Sequence, residues 1–286
     1  MIRHIEYNDF DLYHTLISGQ TFEWFQDVEN PLNWNGILDN CRITITQVGS
    51  KQKGILTYSS TKNLDNKLIQ YFGLDVNYKE LIDKISFDDY VKITLDKLYG
   101  LRVIKQDPWY SVNAFIISQN NTVNNIKNIL KNISYYVNIG NLDYYDFPNF
   151  DKLKNITYKE LCNCKTGYRA LYLLDLYNTI KEEPNFINSI KSLSYFDGKE
   201  KLMKIKGIGE KVADCILLYG YGKYEAYPLD VHLRRATLES YFSNIKKQPS
   251  DKALRLWAKD YWKDVAGFAH FFLFTYRRLY GEILID

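Results

Sequence analysis

The sequence predicts an α+β fold: an N-terminal sheet-containing domain over residues 1–105, followed by a mostly helical body over 106–286. Three observations predict it. Up to about residue 60, polar and apolar residues alternate between turn residues, as in half-buried strands. From Asn63 onward, apolar residues recur at helical spacing. At about 199–220 a turn with two glycines joins a short helical stretch to a second one. A chain of 286 residues can hold one large domain or two to three smaller ones with real cores.

Arg42-Ile43-Thr44-Ile45-Thr46 alternates polar and apolar, and Gly49 to Gly54 reads as a hairpin loop leading into Ile55-Leu56-Thr57-Tyr58. Trp24 and Trp34 flank further short strands of one antiparallel, twisted sheet. Leu64, Leu68, Tyr71 and Phe72 then share a helix face, and Leu81, Ile82 and Ile85 another. Asp107-Pro108 is a helix start, with an acceptor for free amides and a proline suited to the first turn. That helix runs to Ser118, the polar Gln119-Asn120-Asn121-Thr122 interrupts, and a new helix spans about Val123 to Tyr136. Asn138 to Asn155 is turn-rich and reads as a loop. Helices resume near Thr157, from Tyr168 to Glu182 and from Phe186 to Leu193, and three more fill Val231 to Tyr280.

Composition excludes more than it selects. Hydrophobic residues at 46% and charged ones at 25% are ordinary for a globular protein. A net charge of +3 does not by itself announce nucleic acid. Lys199, Lys201, Lys204, Lys206 and Lys211 nevertheless crowd one short region, whereas the pairs Arg234/Arg235 and Arg277/Arg278 read as solvated helix faces. Cys41, Cys162, Cys164 and Cys215 are too few and too scattered for a zinc or iron–sulfur site, which suits a reduced intracellular protein. No apolar segment suits a secretory signal or a membrane span. The expected setting is a prokaryotic cytoplasm, at the nucleoid, with the chain a monomer.

The informative segment is Leu202-Met203-Lys204-Ile205-Lys206-Gly207-Ile208-Gly209-Glu210-Lys211-Val212-Ala213-Asp214-Cys215. Gly207 and Gly209 permit positive φ and close approach of a partner, and the free amides beyond them can bind phosphate. Ile208 would anchor the turn in the core. An ordinary αα-hairpin also favours glycine, so spacing alone leaves the two readings level. Lys211 tips the balance. A cation in a first helical turn opposes the helix dipole by about 0.3–1 kcal/mol, so shape does not demand it. A positive local field would also lower the amine's pKa and free a nucleophile. In Tyr227-Pro228-Leu229-Asp230-Val231-His232, Asp230 suits an N-cap, a role compatible with aiming its carboxylate at a reaction centre. His232 alone reads as a packed or solvated side chain.

Hairpin, lysine and aspartate together resemble the helix–hairpin–helix DNA glycosylases, and within them the lysine-bearing 8-oxoguanine DNA glycosylases. Ser18-Gly19-Gln20-Thr21-Phe22-Glu23-Trp24, Gln106-Asp107-Pro108, Ser118-Gln119-Asn120-Asn121 and Gly167-Tyr168-Arg169-Ala170 resemble that family's segments in the same order across nearly the whole chain. The resemblance implies base excision repair: removal of oxidised guanine from double-stranded DNA after base flipping, with an associated AP-lyase step. It gives Lys211 the attack on the sugar C1′ and a Schiff base, and Asp230 the stabilisation of charge on the sugar. Gly19 would meet the lesion's N7–H through its carbonyl, and Cys215 and Phe274 would sandwich the base. Asn120 would fill the vacated stack, Tyr168 wedge beside it, and Arg169 hold the opposite base. Lys206, Gly207, Gly209 and His232 would meet phosphates. No metal catalyst or organic cofactor is implied, although the hairpin carbonyls offer a seat for a monovalent cation.

Three residues depart from the family pattern. Lys206 replaces a usual proline, which adds charge beside the phosphate site. His270 stands where a glutamine usually reads the lesion's Watson–Crick edge, which would make recognition depend on pH. Asn125 stands where an arginine helps read the opposite cytosine, a loss of about 1–3 kcal/mol of discrimination. Two rivals remain: a related glycosylase with another lesion, and a non-catalytic DNA-binding module. Endonuclease-III-like enzymes carry a four-cysteine cluster near the C-terminus, and no cysteine here follows Cys215.

Overall fold

The computed structural model describes residues 1–137 and 146–283. The chain opens with β1 (Ile2–Asn8), α1 (Leu12–Ile17), β2 (Phe25–Gln26), β3 (Asn33–Leu38), β4 (Cys41–Gly49) and β5 (Lys53–Ser59). These strands form one antiparallel sheet in the order β1-β5-β4-β3-β2. Alternation sets its faces: Cys41, Ile43 and Ile45 point into the core, while Arg42 points out. Asp39 and Asn40, both at positive φ, make the two-residue turn that closes β3 on β4 across the Leu38–Cys41 pair. The Gly49–Gly54 pair closes the next hairpin, where the sequence placed a loop.

Helices follow: α2 (Asp65–Tyr71), α3 (Tyr78–Ile85), α4 (Asp89–Leu98), α5 (Pro108–Ser118) and α6 (Val123–Val137). Next come the one-turn α7 (Phe150–Leu153), α8 (Tyr158–Asn163), α9 (Arg169–Glu182) and α10 (Phe186–Ser189). The body ends with α11 (Tyr195–Met203), α12 (Glu210–Tyr221), α13 (Val231–Tyr241), α14 (Asp251–Trp262) and α15 (Ala266–Tyr280). Within the turn-rich 138–155 stretch, residues 138–145 lie outside the described residues; beyond them Asn149 caps α7 instead of continuing a loop.

Phe22 and Ile104 apart, which cross to the body core and the sheet core respectively, the apolar cores divide between Leu74, packed on the sheet core, and Val76, packed on the body core. Helices α3 and α4 therefore pack with the body although they precede residue 106. Helices α5 and α12 are buried almost throughout, as their apolar sequences require. They cross where a Cβ on Gly220 would lie 3.0 Å from Ser111, so the helix bearing Lys211 is gripped at the body's centre. Gln20, 2% exposed, ties sheet to body. Its amide donates to Thr15 O at 3.0 Å and Arg102 O at 2.9 Å, and accepts from Ile104 N at 2.7 Å. The Gly19 loop is thus fixed against the segment that feeds α5.

Candidate active site and DNA-binding face

The hairpin forms between α11 and α12. Ile208 is buried beneath it, as expected. Gly207 has φ +83, and a Cβ there would stand 2.3 Å from the Tyr172 ring. Gly209 differs from expectation: it is extended, at φ −90 and ψ −179, and a Cβ there would meet open space. It serves as N-cap of α12 without a side-chain cap, so the first amides of the helix are not covered by one.

Lys211 lies one turn before Cys215 and donates to its sulfur. The Cys215 sulfur, and after it the Asp230 carboxylate, hold the Lys211 amine above its ordinary value, although burial opposes them. Burial pushes the Cys215 thiol up in turn, against the pull of the Lys211 amine. The expected depression of the amine is therefore absent in the free protein. The lysines that were to supply the field are spent elsewhere: Lys199 pairs with Asp214 at 3.1 Å and Lys201 with Glu183 at 2.5 Å. Asp230 is the N-cap of α13 and accepts from Leu233 N at 2.7 Å, which aims the carboxylate rigidly.

One face of α15 supplies the adjoining wall. Phe268, Phe271 and Phe272 are core, whereas Phe274 is half-buried. Its ring stacks on His270, with centroids 5.8 Å apart. His270 is 3% exposed, with neither ring nitrogen hydrogen-bonded. Burial drives its imidazole down to about 3, against the Asp230 carboxylate and with the help of Lys211 and Arg255. It is therefore neutral at physiological pH, and the anticipated pH-dependent recognition does not arise from it. Lys211, Cys215 and Asp230 act on one another electrostatically, and Lys211 and Asp230 also act on His270, so the structure gathers four residues from three helices into one neighbourhood.

Gly19 has φ +91, and a Cβ there would clash with Arg278 Nη1 at 1.9 Å. Arg278 also donates to Ile17 O at 3.1 Å. It was read as part of a solvated pair, but its spacing of four from Phe274 and eight from His270 puts it on the pocket stripe. Helical periodicity could have found it. Its neighbour Arg277 instead pairs with Glu239 at 2.8 Å. Lys127 donates to Trp24 O at 2.8 Å and holds the same loop from the other side; no sequence signal marks it.

The wedge residues meet at the turn between α5 and α6. Asn120 has φ +47 and donates to Tyr168 Oη at 3.3 Å. Tyr168, 45% exposed, packs edge-on against Tyr172, the ring that covers Gly207. Wedge and hairpin are therefore one continuous surface. Exposed Lys204, Lys206 and His232 complete it. Arg169 is placed otherwise than its expected role requires. It is 7% exposed, and its guanidinium donates to Gln119 O at 2.8 Å, Asn120 O at 2.9 Å and Thr166 O at 3.4 Å. Here it holds the Asn120 turn, with those donors occupied.

A cavity of about 660 Å³ opens elsewhere, lined by Glu23, Arg42, Asp107, Trp109 and Asp146 among others and by none of the pocket residues above. Glu23, Asp39, Asp107 and Asp146 bring four carboxylates to it, with Arg42, Lys67, Lys105 and Lys152 on the same walls. All four cysteines are free thiols, and among the described residues no three His, Cys, Asp or Glu side chains gather to hold a metal ion. No helix among these residues is long and apolar enough to cross a membrane.

Residues 3–112 match the model of the 8-oxoguanine DNA glycosylase N-terminal domain. The chain is 28% identical to the N-glycosylase/DNA lyase of Saccharomyces cerevisiae, over 85% of its own length and 71% of that protein. It superimposes on the free 8-oxoguanine glycosylase/lyase of Clostridium acetobutylicum with a TM-score of 0.85 and 30% identity, covering 96% of this chain and 98% of that one. The same relative bound to double-stranded DNA with cytosine opposite 8-oxoguanine matches equally, at TM-score 0.85 with 97% of each chain covered. Matched from end to end at 30% identity, this chain belongs to the 8-oxoguanine DNA glycosylase family of the helix–hairpin–helix superfamily.

Proposed function

We propose that this protein excises 8-oxoguanine from double-stranded DNA and nicks the strand at the resulting site, with Lys211 as nucleophile. The observation that carries this reading is the Lys211 amine, within the field of the Asp230 carboxylate; the His270–Phe274 stack and the Gly19 loop are the walls we assign to a base pocket beside it. A base extruded from the stack is what such a pocket accepts. The ammonium gives up its proton before it attacks C1′. The C1′–N9 bond breaks, and the base leaves with the bonding pair and takes up a proton. Asp230, anchored by its cap bond, stabilises positive charge on the sugar. In the Lys211–sugar adduct the C1′–O4′ bond opens, O4′ taking up a proton lost by the amine, and the resulting C1′=Nζ Schiff base permits loss of a C2′ proton and departure of the 3′ phosphate. No step requires a metal or an organic cofactor.

Borohydride trapping tests this directly. On a duplex with one 8-oxoguanine, the wild-type protein should give a covalent protein–DNA band, and Lys211→Gln should give none. Failure of the wild type to trap, with tight binding retained, would point to a non-catalytic DNA-binding module. Trapping only on duplexes with another lesion would move the substrate while keeping the chemistry.

A further inference from the structure

Asp214 lies on α12 between Lys211 and Cys215, with its side chain wholly buried. A carboxylate so placed needs cations. Lys199 lies 3.1 Å away on one side, and Arg255 Nη1 donates to Oδ2 at 2.8 Å on the other. Tyr195 Oη completes the shell at 2.8 Å. Arg255 reaches in from α14, where none of the sequence motifs lies, and its side chain is 14% exposed.

The same guanidinium does more than neutralise Asp214. Nη1 also donates to Tyr227 O at 2.7 Å, and Nη2 to Leu229 O at 3.4 Å. Nε lies 2.6 Å from Glu210 Oε2, an ion contact without hydrogen-bond alignment. One planar group therefore touches the residue before Lys211, the residue before Cys215, and two carbonyls in the turn that delivers Asp230. Lys211 and Asp230 come from separate helices, and among the described residues no backbone hydrogen bond joins residues 227–230 to α12. A rigid fork of donors suits this bridging task, and a lysine could not span it.

We propose that Arg255 is a positioning residue for the reaction: it sets the distance and angle between the Lys211 nucleophile and the Asp230 carboxylate. The inference rests on the reading of those two residues given above. A small misplacement of reacting groups costs on the order of 100-fold in rate while leaving the binding surface intact.

The experiment is a double-mutant cycle. Arg255→Met is made in the wild type and in Asp230→Asn, and single-turnover excision of 8-oxoguanine is measured in each. Binding to a duplex with a stable abasic analogue is followed in parallel. Arg255→Met should slow excision about 100-fold in the wild-type background and less than about threefold in Asp230→Asn, with Kd for the analogue within about threefold throughout. Equal losses in both backgrounds would overturn the proposal, because Arg255 would then act independently of Asp230. An unchanged rate in the wild-type background would also overturn it. Should Arg255→Met not fold, Arg255→Lys keeps the charge on Asp214 but not the fork, and the same cycle on it decides. A wild type that traps no DNA would instead sink the lysine-nucleophile reading, an outcome visible before any variant is compared.

Discussion

His270 has both ring nitrogens buried without a partner in the free protein, a costly arrangement for a polar group. Its ring stacks on Phe274, a wall assigned above to the base pocket, so a base entering there could satisfy it. With its folded-state value near 3 and an ordinary value of 6.5, His270 stays neutral wherever DNA stays paired. Excision by wild type and by His270→Gln should therefore show parallel pH–rate profiles above pH 5, and an inflection near pH 6.5 present only in the wild type would contradict this. Stability should differ. Below pH 6.5 the unfolded chain binds a proton at this position that the native chain refuses. Native stability thus falls as pH drops from 6.5 towards 3, by up to about 1.4 kcal/mol per pH unit. Urea unfolding at pH 7 and 4.5 should show a smaller acid loss for His270→Gln than for the wild type. The charge of Lys211 follows the opposite course from the one its helix position suggests. A helix N-terminus lowers an amine by at most a modest field, and the Cys215 sulfur together with the Asp230 carboxylate raises it even against burial. Sequence names both residues but not the sign of their sum.

At the scale of elements, most of the body was legible because its signals are local. Asp107-Pro108 caps and starts α5 as read, and the alternation of residues 41–49 gives β4 its buried face. Three helices were passed over: α1, α4 and the one-turn α7 inside the stretch read as a loop. α1 is six residues long, too short for periodicity to register, and rests on the Asp11 cap. α4 hides because a buried Thr94 interrupts its apolar stripe of Val91 and Leu98. What sequence could not show is where a side chain spends its donors. Arg169 is the instructive case: its position in Gly-Tyr-Arg-Ala suggested a reader of the opposite base, whereas tertiary packing turns it onto the carbonyls of residues 119 and 120. Asn125, the other candidate reader, donates to Asn121 at 2.6 Å. Neither residue offers a free bidentate donor to a cytosine edge in this state. Excision opposite cytosine and opposite adenine should therefore differ by less than about fivefold, below the roughly 1–3 kcal/mol that one good bidentate contact supplies. Single-turnover rates on the two duplexes measure it, and a strong cytosine preference would show that Arg169 leaves its turn when DNA binds.

The molecule as a whole carries only +3, so long-range attraction to DNA is weak and binding must be concentrated locally. Five lysines crowd the hairpin sequence, but the fold divides them by task. Lys199 and Lys201 are consumed by carboxylates and Lys211 faces the pocket. That leaves Lys204 and Lys206 exposed beside the uncapped start of α12, on the surface that runs through Gly207 and Tyr172 to the Asn120 wedge. A lysine that meets a phosphate releases counterions and steepens the salt dependence of binding by about 0.9 in the log–log slope. Replacing both Lys204 and Lys206 by alanine should therefore flatten that slope by about 2. Affinity should fall by the same factor for undamaged, 8-oxoguanine-containing and abasic duplexes, because phosphate contacts carry no information about the base. Thermal stability should barely move, since both side chains are exposed and neither is tied to a carboxylate among the described residues. A loss confined to damaged DNA would instead place these lysines in lesion recognition. An unchanged slope would mean that DNA is gripped by the helix amides and His232 without them, so the two results separate charge from geometry as the basis of the hairpin's hold.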